Sequence, residues 1–387
     1  MPVIDGKISQ ISGGVMFLII IYYCLFLFIG VFTHGLIKNK KRRLKIETVL
    51  CFIALFIFFG FRDITVLNDT ADYYGHFRYI LQYTNNLSRP IYNIDPYDRF
   101  EPAYQIFENI LGKITKEPYA IIMVSSFIIS YSYLKFIKKF THNISLCVFI
   151  LLTMSNLTFM YSGIRQGLAT CIFFLAYPYL IDKSLLRYYC LVFVAIFFHI
   201  SACVLLILPM FHYFNLNKKN IIASGFISLM ISGNIMTLLE PYVADSNYYE
   251  TQLEQESMAF AVILNIATAL FFILWSFYIK KRYNINLGKS KLLWWISISS
   301  LYIQICSVKF SILSRCSYYF FVFIVILLLS HIFTIPKQYK TNHILLLLLF
   351  VMVRCVSILI LKNEWYHLYP YSFFDFTQLY HDTDIGY

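Results

Sequence analysis

The chain has 387 residues, of which 59% are hydrophobic, 19% aromatic and only 13% charged, a composition that excludes a soluble domain of this length. A net charge of +12 would suit nucleic acid, but the cations sit in short loops between apolar runs, the pattern of inner loops in a multi-spanning protein. The nine cysteines are scattered singly, without Cys-x-x-Cys or a Cys/His spacing suited to metal, and read as small buried apolar residues.

The expected fold is therefore all-α, a polytopic integral membrane protein forming one transmembrane domain over residues 1–387. Met1–Gln10 lacks a basic n-region, and the apolar run Ile11–Phe32 is too long for a signal-peptide core, so it is read as a first membrane helix. Lys38, Lys40, Lys41, Arg42, Arg43 and Lys45 follow. Such a basic loop stays in the cytoplasm, which puts the amino terminus outside. Ile46–Phe61 then returns to the outer face.

Residues 62–118 form the long hydrophilic segment, expected outside, with acids at Asp63, Asp69, Asp72, Asp95, Asp98, Glu101, Glu108 and Glu117. Its aromatics, among them Tyr73, Tyr92, Tyr97 and Tyr104, suit either sugar faces or an interfacial aromatic belt. Ala103, Ile106, Phe107, Ile110 and Leu111 recur at helical spacing, predicting an amphipathic helix over 100–114 on the outer leaflet.

Further spans are predicted at Tyr119–Tyr133, Leu146–Met160, Ile164–Ile181, Met258–Ile279, Leu292–Val308, Ile312–Phe333 and Ile344–Leu361. Between them, Tyr188–Phe211 and Ile221–Leu239 pose a parity problem. They connect an inner loop at Lys183 to the acidic loop Glu240–Ser257, expected outside, so one of the two must be re-entrant or broken. Ser224, Gly225, Ser228, Ser232, Gly233 and Asn234 make the second run the weaker span. The result is ten crossings with both termini outside.

On this topology Arg62, Arg165, Arg315 and Arg354 share the level of the outer leaflet. Arg165 lies in the first turn of Ile164–Ile181, where free N–H groups and the helix dipole favour an anion. Guanidinium forks suit phosphate oxygens and cannot be neutralised. Acids inside the spans are nearly absent, so a bound pyrophosphate is the simplest partner; separate snorkelling, or pairing with an acid of the outer loop, is the alternative. His199, within Phe197-Phe198-His199-Ile200-Ser201, is either a hydrogen-bonded packing residue or a catalyst.

Gly60-Phe61-Arg62, Asp69-Thr70 with Tyr73, Glu101-Pro102 with Tyr104, Ile164-Arg165-Gln166, Phe198-His199 with Ser201-Ala202, Arg315 with Tyr319-Phe320, and Tyr369-Pro370-Tyr371 occur in that order. In this the sequence resembles the EpsG-type members of the Wzy polysaccharide polymerases, which join lipid-linked oligosaccharide repeat units. Asn68 stands where a glycine is expected, and Ala103 also departs from the pattern. The resemblance implies a GT-C-like glycosyltransferase of the bacterial cytoplasmic membrane, moving a growing glycan from undecaprenyl pyrophosphate onto a new lipid-linked unit.

On that reading Arg62, Arg165, Gln166, Arg315 and Arg354 hold the pyrophosphate, and Asp69, Asp72, Glu101 and His199 are candidates for activating the acceptor hydroxyl. Tyr73, Tyr104, Tyr319 and Tyr371 are the expected sugar contacts. No metal or other cofactor is required, since Asp95 and Asp98 are separated by Pro96 and Tyr97 and form no Asp-x-Asp. The expected partners are the lipid-linked oligosaccharide and membrane lipid, with a chain-length regulator left open and no nucleic acid. A flippase, a glycan ligase and a membrane O-acyltransferase are rival readings. The absence of an internal repeat weighs against the flippase.

Overall fold

The structure, a computed structural model, describes residues 2–84, 92, 94–95, 98–243, 256–285, 291–308, 313–361, 367–368 and 370–376, with side chains left out at 2–16, 83–84, 232–243, 256–261 and 361. Pro96, Tyr97, Tyr369, most of the acidic loop at 240–257 and the end of the chain lie outside the described residues. The helices are α1 (Pro2–Leu36), α2 (Lys40–Gly60), α3 (Thr70–Thr84), α4 (Pro102–Ile114), α5 (Ala120–Ile137), α6 (Ile144–Thr153), α7 (Asn156–Ser162), α8 (Ile164–Ile181) and α9 (Leu185–Phe198). A 3₁₀ helix (Ile200–His212) follows, then α10 (Lys218–Val243), α11 (Glu256–Arg282), α12 (Lys291–Cys306), α13 (Ser314–Thr334) and α14 (Lys337–Leu361). Among the described residues there is no strand, only an isolated antiparallel bridge between Arg62 and Phe373.

Six helices are long and apolar enough to cross a membrane, counted among the described residues, and a bent pair would make a seventh. Several of the expected crossings are not straight helices of full spanning length. In α2, Lys40–Lys45 uses up the first turns and leaves apolar residues from Ile46 only, and α12 has 16 residues where about 20 are needed to span. The run Leu146–Met160 is a bent pair: α6 and α7 meet at 72°, with Ser155 between them in the left-handed region at φ 59°.

The break falls in the other of the two runs from the one expected. Ile221–Leu239 lies within one continuous helix, α10. Its serines do not break it, because the Ser224 hydroxyl donates to Asn220 O at 2.6 Å and that of Ser228 to Ser224 O at 2.9 Å, keeping their polarity inside the helix. The broken run is Tyr188–Phe211, which divides at His199 into α9 and the 3₁₀ helix.

The chain folds as two compact units, one of residues 1–176, 190–200 and 347–387, the other of 177–189 and 201–346. In the first, α2 packs on α1, α5 and α6. Glu47, fully buried on α2, accepts from the backbone N–H of Ser145 at 2.9 Å, so a carboxylate meets the positive end of α6. Tyr22, Phe58 and Tyr371 stack in a column with centroid spacings of 3.7 and 4.2 Å. Beside it Asp63 N–H donates to Ser372 O and Phe374 N–H to Phe61 O, each at 2.9 Å.

In the second unit α13 is the buried centre, packed by α11 and α12. Trp294 stacks near Phe277 at 4.1 Å, and the Gln304 amide donates to the Ser317 hydroxyl at 3.2 Å. That bond links α12 to α13 through two buried polar side chains.

Candidate functional site

The site is built around the start of α4. Pro102 occupies the first helical turn, where its fixed φ and missing N–H are tolerated, and Glu101 is the extended N-cap with φ −66° and ψ 151°. The Glu101 side chain makes no capping bond to its own helix. It is turned outward instead. Oε1 accepts from the Ile200 N–H at 3.2 Å and lies 2.8 Å from His199 Nδ1, while Oε2 pairs with Arg165 Nη1.

This explains the break in Tyr188–Phe211. A chain leaving α9 frees backbone carbonyls, whereas the 3₁₀ helix that starts at Ile200 leaves its first N–H groups without helical partners, and the Glu101 carboxylate takes up the one at Ile200. Because a carboxylate only accepts, Nδ1 of His199 carries the hydrogen, and the neutral ring has its lone pair on Nε2.

Arg165 stands in the first turn of α8, whose bounds are those the sequence predicted. Its Nη1 also donates to Arg99 O at 3.2 Å, its guanidinium lies 4.4 Å from the Phe100 ring centroid, and it bonds the Tyr73 hydroxyl. The start of α8 is seated by Gly167, where a Cβ would collide with Met160 O and lie 2.7 Å from Ile129 Cδ1.

Side-chain exposures of 20% for Arg165, 17% for Glu101 and 16% for His199 leave all three reachable from outside. Burial alone would raise the Glu101 pKa, but the His199 hydrogen bond and the Arg165 charge outweigh it and hold the carboxyl below its ordinary range. The site therefore joins an ionised carboxylate, an oriented imidazole and a guanidinium. Of the alternatives expected for Arg165, the structure shows pairing with an acid of the 62–118 segment, Glu101.

Other expected residues fall elsewhere. Arg62 is fully buried and its fork is consumed by the protein: Nε donates to Thr70 Oγ1 at 3.1 Å, Nη2 to Tyr161 O at 2.9 Å, and Nη1 to Phe59 O and to Ser126 Oγ. It braces α2, α5 and α7 and is no anion ligand. Asp69, half-buried, precedes α3 next to Tyr73, and Asp72, also half-buried, pairs with Arg99 at 3.4 Å. Gln166 is buried beside Arg165 in α8, and Arg354 is buried in α14. Arg315, half-buried, opens α13 in the second unit.

The tyrosines expected to meet sugar are packing residues. Tyr104 and Tyr319 are fully buried, Tyr104 edge-on to Phe100 and Tyr319 with its hydroxyl 3.1 Å from that of Ser201. Tyr73 is buried against Phe100, and the Tyr371 hydroxyl donates to Phe58 O.

Two features of the loop and α4 escaped the sequence reading. His76 on α3 is buried between Asp98 and Glu108, with Nε2 2.6 Å from Asp98 Oδ2 and Nδ1 3.0 Å from Glu108; Tyr73, Phe77 and Ile80 mark that helix face in the sequence, but nothing marks its acidic partners. Helix α4 also buries polar side chains: Gln105, Glu108 and Asn109 are buried together with Tyr104 and Leu111, whereas Ile110 and Ile114 are exposed. An apolar face turned outward suits lipid.

The buried spans, the outward apolar face and the reachable charged cluster define a multi-pass, all-α membrane protein with a polar site at helix ends. The chain belongs to the EpsG family, which it matches over residues 45–373, a family of Wzy-type polysaccharide polymerases. No curated protein and no solved structure matches it.

Proposed function

We propose that the protein polymerises lipid-linked repeat units at the outer face of the bacterial cytoplasmic membrane, transferring the growing glycan from polyprenyl pyrophosphate to the next unit. The observation that carries this reading is the Glu101 carboxylate placed between His199 and Arg165. Glu101 fixes Nδ1–H of His199 and stabilises the imidazolium that forms when Nε2 takes a proton, the division of labour of a carboxylate–histidine pair.

In the transfer, the acceptor hydroxyl oxygen forms a bond to the anomeric carbon as the bond to the pyrophosphate oxygen breaks. The hydroxyl proton passes to His199, and the leaving group departs with the electron pair. Arg165 stabilises the charge that develops on it, which needs no reorganisation at the moment of reaction. Arg354 is a further cation for the lipid diphosphate, and Asp69 and Asp72 line the approach of the acceptor. Helix α4 rests its Ile110 and Ile114 face on the outer leaflet, so the substrate headgroup meets the site at membrane depth.

Purified protein in proteoliposomes, supplied with polyprenyl-pyrophosphate-linked repeat units, is expected to give a ladder of glycan lengths. A single transfer product would mean a ligase, and translocation without new glycosidic bonds a flippase.

A further inference from the structure

The reading of the site leaves the buried His76 unused, and its surroundings are those of a clamp. Asp98 and Glu108 flank the ring on its two nitrogens at 2.6 and 3.0 Å, and the Phe100 ring meets it edge-on at 4.3 Å. Asp98 uses its other oxygen, Oδ1, to accept the Phe100 N–H at 2.9 Å. Phe100 in turn carries the Arg165 guanidinium on its face and immediately precedes Glu101. A second clasp holds the same segment: the Gln105 amide donates to Phe100 O at 2.7 Å and to Asp95 O at 3.0 Å.

We propose that His76, as an imidazolium bridging Asp98 and Glu108, is a positioning residue that fixes the 98–101 segment and thereby holds Glu101 against His199 and Arg165. The proposal rests on the polymerase reading only for its consequence in catalysis; the positioning itself is a property of the free protein.

The charge state follows from the neighbours. Burial would lower the His76 pKa, but hydrogen bonds and charge from Asp98 and Glu108 outweigh it and raise it to about 9. Burial lifts Glu108 to about 7 against the pull of His76, with Asp98 adding to the rise and Arg165 opposing it. Arg99 faces Asp98, and Tyr104 faces Glu108. At neutral pH His76 is therefore charged and has no lone pair to act as a base. A histidine raised in the folded state contributes stability that is fully present below about 6.5 and is lost as the pH rises through the folded value. The clamp thus holds at neutral pH and opens above about pH 9.

The test is hydrogen–deuterium exchange of the full-length protein in detergent, without substrate, reading two peptides: one over 98–101 and one over 199–201, which carries the Ile200 N–H bonded to Glu101. His76→Gln, which keeps a donor but no charge, is expected to exchange roughly tenfold faster than wild type in both peptides at pH 7. Asp98→Asn, which keeps an acceptor for the Phe100 N–H, is expected to reproduce part of this. The excess over wild type should vanish above about pH 9, where the wild-type ring is neutral too. Faster exchange in 98–101 alone, or in neither peptide, overturns the proposal. With lipid-linked units, His76→Gln is expected to lower kcat more than it raises KM. Failure of the wild type to polymerise would sink the polymerase reading while leaving the coupled exchange of the two peptides to decide the clamp.

Discussion

Glu101 begins a helix and yet turns its carboxylate to His199, 98 residues further along the chain, at 2.8 Å. A side chain at a helix start that bonds elsewhere leaves the first N–H groups of its own helix without that acceptor. Such local sacrifices gather where a geometry serves function.

Glu101→Gln retains the shape and one accepting oxygen but removes the charge that steadies the imidazolium. Polymerisation is expected to fall by roughly a hundredfold or more, in line with the loss of general-base assistance. Single lipid-linked units should accumulate, read by gel electrophoresis of extracted glycans. Normal ladders in this variant would remove Glu101 from the mechanism.

Arg165→Lys keeps a cation but loses the planar fork that serves Glu101, Arg99 O and the Phe100 face together. Its expected phenotype is short chains from a normally inserted protein. Arg62→Lys should do the opposite. Its fork meets two carbonyls and two hydroxyls in the buried interior, and an ammonium cannot replace them, so a loss of several kcal/mol is expected. The readout is the yield of monodisperse protein and its melting temperature in detergent. Equal behaviour of the two variants would dissolve the distinction between ligand and brace.

Gly167→Ala tests the seating of α8. The added carbon would meet Met160 O and Ile129, and overpacking of this kind costs about 1–3 kcal/mol while shifting Arg165 with the helix. Gly35→Ala on α1 is the control, since nothing lies within 4 Å of its added carbon. It should leave stability unchanged or raise it by up to about 1 kcal/mol. Thermal melts of both, with chain-length profiles, give the comparison.

Depression of the Glu101 pKa sets a pH dependence. A carboxyl lowered on folding contributes stability that is present above its unfolded value, about 4.3, and is lost as pH falls through the lower folded value. The melting temperature of wild type should exceed that of Glu101→Gln at neutral pH, and the gap should close only in strong acid. A gap that closed already near pH 6 would show that the His199 and Arg165 contacts do not stabilise the ionised form.

Much of this was legible in the sequence because local signals agreed. Arg165 at the start of an apolar run predicted both α8 and its reachable cation, and Glu101-Pro102 marked a helix start. What stayed hidden depends on distant contacts. The Tyr188–Phe211 run carries no breaker at its midpoint, since the break is made by a carboxylate from another helix. The serines of Ile221–Leu239 suggested a break, but each hydroxyl that turns back on its own helix leaves that helix intact. Arg62 looked like a ligand because its acceptors are two backbone carbonyls and two hydroxyls on separate segments, which no local pattern reveals.

The bridge joining 61–63 to 372–374 bears on biogenesis. Phe58 waits 313 residues for the hydroxyl of Tyr371, so during synthesis the carboxyl end of α2 stays without its final partner while nearly every other helix is already inserted. A ribosome stalled before residue 371 should leave this corner open to protease, and release of the remaining stretch should close it, making completion of the fold one of the latest events in the protein's maturation.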